Sequence, residues 1–196
     1  MIDLRRVCVF CGANLGSRQE YTAAADALGA TLARRGVNLV YGGGQVGLMG
    51  IVADSLLAAG GEVTGVLPEA LASKELAHPT LTELRVVGSM HERKTLMADL
   101  ADGFIALPGG YGTLDELCEI LTWAQLGFHA KPVGLLNAGG FFDGFLAFLN
   151  HATAEGFVRS AHRDMLLVDG DADRLLNRMA EYEAPKVRKW IRRDET

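Results

Sequence analysis

Phe104-Ile105-Ala106-Leu107-Pro108-Gly109-Gly110-Tyr111-Gly112-Thr113-Leu114-Asp115-Glu116 runs from an apolar segment fit for a buried strand, through a glycine turn, into a helical pattern behind Thr113. A strand that stops on Pro-Gly-Gly and passes at once into a helix is the building unit of a parallel α/β sheet. The glycines let the backbone come close to a ligand, and the helix start aims unpaired N–H groups at it. That geometry binds anions, phosphate above all. Thr113-x-x-Glu116 also spells a capping box, in which both side chains satisfy backbone groups at a helix start. Glu116 therefore has two candidate roles, a structural cap and a carboxylate beside a bound phosphate. This stretch alone does not choose between them.

Working outward, short β-branched runs alternate with longer helical patterns along the whole chain. Strands are expected at 6–11, 38–41, 62–67, 84–87, 103–107 and 133–136, with a short last one at 165–168. Helices are expected at 19–35, 47–59, 90–101, 113–126, 142–155 and 172–182. This order predicts a single-domain α/β fold, a doubly wound parallel sheet with helices on both faces. The domain is expected to span 1–183. A basic tail follows at 184–196, with Lys186, Arg188, Lys189, Arg192 and Arg193 around Trp190 and Ile191; its pattern suits a terminal helix docked by its Trp.

Composition narrows the function classes. A length of 196 residues with 49% hydrophobic content suits one sizeable core. A net charge of −5 offers no global basic field for nucleic acid or membranes. No apolar run reaches membrane-spanning length and no signal-peptide pattern opens the chain, so a cytoplasmic protein is expected. Cys8-x-x-Cys11 lies in a strand pattern, where side chains three apart face opposite ways, so it reads as core rather than as a metal or redox pair. The five histidines show no metal-ligand spacing. None of the five lysines has a cofactor-anchoring setting, so neither a metal nor pyridoxal phosphate is implied.

In open α/β sheets, ligands bind beyond the carboxyl ends of the strands. Those ends here are Gly12-Ala13-Asn14, Gly42-Gly43-Gly44, Pro68-Glu69, Gly88-Ser89, Pro108-Gly109-Gly110 and Asn137-Ala138-Gly139-Gly140. Gly42, Gly44 and Gly47 match a dinucleotide fingerprint. The motif follows the second strand rather than the first, however, and no acidic residue ends the next strand at the usual spacing. A second phosphate-type turn at Gly109-Gly110 is also superfluous for one dinucleotide. Two glycine turns, with Gly43 and Gly44 in the first, sharing one mononucleotide fit better. Ser89-x-x-Glu92 is another capping box, and it places Arg93 and Lys94 near a helix start, where cations are unfavourable unless an anion compensates. Arg93 suits a bidentate grip on phosphate or a purine edge. Lys94 reads equally well as a solvated cation.

Tyr41-Gly42-Gly43-Gly44-x-x-Gly47-Leu48-Met49-Gly50, Ser89-Met90-His91-Glu92-Arg93-Lys94 and Pro108-Gly109-Gly110-Tyr111-Gly112-Thr113-Leu114-Asp115-Glu116 together resemble the Lonely Guy (LOG) family of cytokinin riboside 5′-monophosphate phosphoribohydrolases. Leu121-Thr122-Trp123-Ala124-Gln125-Leu126-Gly127 and Lys131-Pro132-Val133-Gly134-Leu135-Leu136-Asn137 are also similar to it, and the likeness runs over 7–158. The resemblance implies a Rossmann-like homodimer, without a cofactor, that cleaves a nucleoside 5′-monophosphate into an adenine-type base and ribose 5-phosphate. It also implies that Arg93 and Glu116 are the essential pair. Ligand contacts would come from Glu75, Arg93, Lys94, the turn 110–116 (Gly110, Tyr111, Gly112, Thr113) with Gly109, and Thr122. Lys74 stands where the family usually has Arg. The family also carries an old lysine decarboxylase label, against which the absence of an anchoring lysine argues.

Breaking the bond from C1′ to the base leaves an oxocarbenium-like sugar, which a nearby carboxylate stabilises while it orients or deprotonates water. A helix start, with Arg93 near, is expected to hold Glu116 ionised. Arg93 would clamp phosphate or assist the departing base, and both assignments stay open. Discrimination for an N6 substituent is expected near Met49, Met90 or Met97, residues that also read as helix core. Two alternatives stand beside the phosphoribohydrolase: the same chemistry on plain AMP, and a non-catalytic carrier of a nucleotide or cofactor, as in the similar-looking molybdenum-cofactor carriers. A carrier needs the glycine turns but not both Arg93 and Glu116.

Overall fold

A computed structural model describes residues 1–72 and 77–185. Its elements are β1 (Arg6–Phe10), α1 (Gln19–Arg34), β2 (Asn38–Tyr41), α2 (Gly47–Ala58), β3 (Val63–Pro68), α3 (Glu69–Ala72), β4 (Glu83–Val87), α4 (Met90–Leu100), β5 (Gly103–Ala106), α5 (Tyr111–Leu126), β6 (Val133–Leu136), α6 (Asp143–Ala154), α7 (Ser160–Arg163), β7 (Leu166–Asp169) and α8 (Ala172–Ala180). All seven expected strands form, within a residue of their expected limits at either end. The short helices α3 and α7 carry too few residues for a periodic signal and were not expected. Residues 186–196, most of the basic tail, lie outside the described residues.

The sheet is parallel throughout, in the order β4-β3-β2-β1-β5-β6-β7. Strand alternation sends Val7, Val9, Leu39, Tyr41 and Ile105 into one core with α1, α2 and α8. Cys8, Phe10, Val40, Phe104 and Ala106 enter a second core with α4 and α5. Cys8 and Cys11 fall into opposite cores, both buried and unpaired, as the two-residue period requires.

The chain winds outward from β1 to β4, then returns through α4 to lay β5 on the other side of β1. The connections after β1 and β5 consequently leave in opposite directions and open a crevice above their carboxyl ends. Gly47 closes one wall of it. Its φ is +63°, and a Cβ there would lie 2.2 Å from the carbonyl carbon of Ala13. Only glycine lets the start of α2 meet the loop after β1, where Leu48 N–H donates to the Gly12 carbonyl at 3.0 Å. Gly47→Ala is expected to lose about 3 kcal/mol or more, from left-handed strain plus a backbone clash. Urea unfolding measures this, and a change within about 0.5 kcal/mol would contradict the packing described.

Candidate functional site

The crevice holds a cavity of ≈ 470 Å³. Its walls come from the loop after β1 (Cys11, Gly12, Ala13, Asn14, Leu15, Gly16), from Leu48 and Met49 of α2, and from Arg93 of α4. Pro108, Gly109, Gly110, Gly112, Thr113 and Glu116 complete it, with Tyr21 and Phe141.

Helix α5 begins at Tyr111, two residues before the expected start, with Gly110 as its N-cap. Thr113 therefore lies inside the first turn, and the capping box with Glu116 does not form. Gly110 has no side chain to cap with, so the early N–H groups face the crevice without a side-chain partner. Thr113 is buried instead against Gly109, where a Cβ would fall 2.1 Å from its Oγ1. Glu116 is the sixth helical residue, beyond reach of the helix end, and its side chain turns into the cavity.

The structure also corrects the expectation that Glu116 is held ionised. Burial pushes its carboxyl up to about 7; Arg93 and Lys94 pull the other way but do not win, and Asp115 and Glu119 add to the rise. A group poised near 7 is suited to exchange a proton at neutral pH.

Arg93 is fixed by backbone. Its Nε donates to the Val66 carbonyl at 3.1 Å and its Nη2 to the Gly42 carbonyl at 3.3 Å. A Cβ on Gly42 would lie 2.0 Å from Nη2, so a side chain there would evict the guanidinium. Upstream, the Ser89 cap forms: Ser89 Oγ accepts from Glu92 N–H at 3.1 Å, and Glu92 Oε2 accepts from Gly88 N–H at 2.8 Å. The anion that compensates Lys94 belongs to the protein. Its Nζ pairs with Asp115 Oδ2 at 2.6 Å and Glu119 Oε2 at 3.2 Å, and the hydrogen bond to Asp115 leads in holding its pKa above the ordinary value.

The structure thus brings Arg93, Glu116, Gly109, Gly110, Gly112 and Thr113 together. Lys94 and Tyr111 do not line the cavity, and Tyr111 is 94% exposed. Thr122 is exposed on α5, its Oγ1 donating to the Cys118 carbonyl at 2.7 Å, about 9 Å along the axis from Glu116. Gly43 and Gly44 lie outside the cavity and pair with residues 77–78. Glu75 lies outside the described residues. Met49 lines the cavity, Met90 Sδ lies 3.8 Å from Arg93 Nη1, and Met97 is buried core.

Tyr21 and Phe141 had no signal as site residues. They meet edge to face at 5.4 Å, and Arg18 stands over Tyr21 while donating to the Gly139 carbonyl at 2.9 Å.

The family described as "Possible lysine decarboxylase" matches residues 49–179. The probable cytokinin riboside 5′-monophosphate phosphoribohydrolase LOGL9 of Oryza sativa subsp. japonica is 53% identical over 178 residues, 91% of this chain and 78% of that one. Cytokinin riboside 5′-monophosphate phosphoribohydrolase LOG of the same plant is 49% identical, over 91% and 74%. LOG3 of Arabidopsis thaliana is 47% identical, over 91% and 83%. The chain belongs to the LOG family.

Among solved structures, the molybdenum cofactor binding protein of Rippkaea orientalis superposes with a TM-score of 0.68 at 20% identity, covering 90% of this chain and 96% of that one. The molybdenum cofactor carrier protein of Chlamydomonas reinhardtii gives 0.68 at 21%, covering 92% and 100%. At that identity the likeness shows a shared Rossmann-like fold. The cavity of this LOG chain differs from a bare glycine cradle in being lined by both a guanidinium and a mostly buried carboxyl.

The raised pKa of Glu116 has a consequence for stability. The folded state holds its proton up to about 7 whereas the unfolded chain releases it near 4.5, so stability falls as pH rises through that interval. The full difference is about 3 kcal/mol. Glu116→Gln is therefore expected to be more stable than wild type at pH 8 by up to that amount and equally stable at pH 4.5. Urea unfolding at both pH values measures the gap; a variant less stable than wild type at pH 8 would restore the structural-cap role.

Proposed function

We propose that this LOG protein hydrolyses the N-glycosidic bond of N6-substituted adenosine 5′-monophosphates. Water adds its oxygen to C1′ and the C1′–N bond breaks. The base leaves with the bonding electron pair and takes up a proton, giving free base and ribose 5-phosphate. The observation that carries this reading is the placement of Glu116 about 7.5 Å along the α5 axis from a helix start rich in free N–H groups. A 5′-phosphate on the first turn directs the ribose toward the carboxyl, and the phosphate's binding energy holds it there. Ionised Glu116 stabilises the cationic sugar and takes the proton of the attacking water. Arg93, with backbone carbonyls as its protein partners, keeps its charge available for the phosphate or the departing base.

The same proposal assigns Lys94 an electrostatic role on Glu116 rather than a ligand contact, and it includes a homodimer in the cytoplasm. Thr122 stands outside its own cavity, so it would reach substrate only from a second copy; Glu75 is proposed to contact the ligand as well.

Purified protein incubated with isopentenyladenosine monophosphate is expected to release free base, detected chromatographically, with slower release from AMP. Glu116→Gln should abolish release while nucleotide binding persists. Equal rates on both nucleotides would favour the AMP-directed reading, and binding without release would favour a carrier. The acid limb of kcat/KM should rise through about pH 7 as Glu116 ionises. Lys94→Gln should move that limb to higher pH, because the ammonium favours the ionised carboxyl; an unmoved limb would contradict the role given to Lys94.

A further inference from the structure

Arg93 Nη2 takes its backbone acceptor from a turn made of glycine alone. The Gly42-Gly43-Gly44 turn has no side chains to pack, yet Gly42 O accepts from Arg93 Nη2 at 3.3 Å. Its other backbone acceptor, the Val66 carbonyl, takes only Nε. The turn is fastened from outside. His78 N–H donates to the Gly43 carbonyl at 2.9 Å, and Ala77 bridges to Gly44 in antiparallel fashion.

His78 is also fastened. Its ring is 4% exposed, unusual for a histidine on a connecting segment. Nδ1 accepts from Thr80 N–H at 3.3 Å, which leaves the proton on Nε2 to donate to Asp54 Oδ1 at 3.0 Å. Asp54 stands on α2, the helix that opens behind the same glycine turn, and its side chain is 71% exposed. The segment 77–80 is thus clamped to α2 across the turn. A continuous chain of bonds runs Asp54, His78, Gly43, then through the peptide to Gly42 and Arg93.

The geometry points to the Asp54–His78 pair as a positioning device for Arg93. Neither residue lines the cavity, so the pair acts by holding the glycine turn in the one arrangement that gives Arg93 Nη2 its acceptor. This rests on the role proposed above for Arg93. An exposed carboxylate outside the site would ordinarily be replaceable with little effect. Here it contributes to turnover.

The test is steady-state base release by His78→Ala, Asp54→Ala and His78→Gln, each checked for folding by circular dichroism and thermal melting. Both alanine variants should lose roughly ten- to a hundredfold in kcat/KM, as small displacements of a catalytic group do. His78→Gln, which keeps a donor toward Asp54, should stay within about threefold of wild type. On an Arg93→Lys background, His78→Ala and Asp54→Ala should add less than about threefold, because the group they position has already been altered. A merely structural clamp would lower the melting temperature while its losses multiplied with that of Arg93→Lys, and this result would overturn the proposal. Wild-type activity in folded Asp54→Ala would overturn it as well, and being a surface change that variant does not risk the fold. If wild type releases no base, calorimetric binding of AMP to the same set carries the comparison. Failure of the hydrolase reading and failure of the clamp are then separate results.

Discussion

One backbone hydrogen bond, from Gly12 N–H to the Pro108 carbonyl at 3.0 Å, carries the β1–β5 ladder past the end of both strands. It brings two connections together at the place in the sheet where the winding reverses direction. Beyond it the chains must part, and the cavity is the space they leave. The approach is close enough that a Cβ on Gly109 would meet Gly12 N at 2.9 Å and Thr113 Oγ1 at 2.1 Å. A side chain at Gly109 would push the strands' ends apart and displace the first turn of α5. The start of that helix, the free N–H groups there and the depth of Glu116 all follow from this contact.

Glu116 shows the cost of placing a carboxyl in such a space. A carboxyl lowered into a mostly buried position loses hydration, and two cations on α4 offset only part of that loss. Lys94 is partly neutralised by Asp115 and Glu119, and these two carboxylates themselves oppose ionisation of Glu116. The site is consequently less stable with the charge than without it. A residue selected only for folding would not be left in that condition. This conflict between burial and charge is what the role proposed for Glu116 would account for.

Much of this is legible in the sequence. Alternating apolar runs located every strand, and the two-residue period assigned Cys8 and Cys11 to opposite faces, where they lie. Ser89 and Glu92 cap α4 as their spacing implied, since a cap depends on residues within one turn. Thr113 and Glu116 carry the same spacing and do not cap, because Gly110 takes the N-cap position three residues before Thr113. The motif was locally valid in both places. Packing of Thr113 against Gly109, a contact across the turn, decided which one formed. The compensating anion that the position of Lys94 calls for could not be located in the sequence, because its carboxylate partners lie on the next helix, more than twenty residues away.

The sequence by itself determined the α/β class, the parallel order of strand and helix, the two glycine turns and the family, because each is written in short-range periodicity or in contiguous motifs. Only the tertiary structure decided which loops share a crevice and that Tyr21 and Phe141 line it. It also decided that Arg93 rests on the carbonyls of Val66 and Gly42, and that burial pushes the Glu116 carboxyl up to about 7. Those properties depend on desolvation and on contacts between distant elements. Both come into being only when the sheet reverses its winding beside β1 and the two cores close around it.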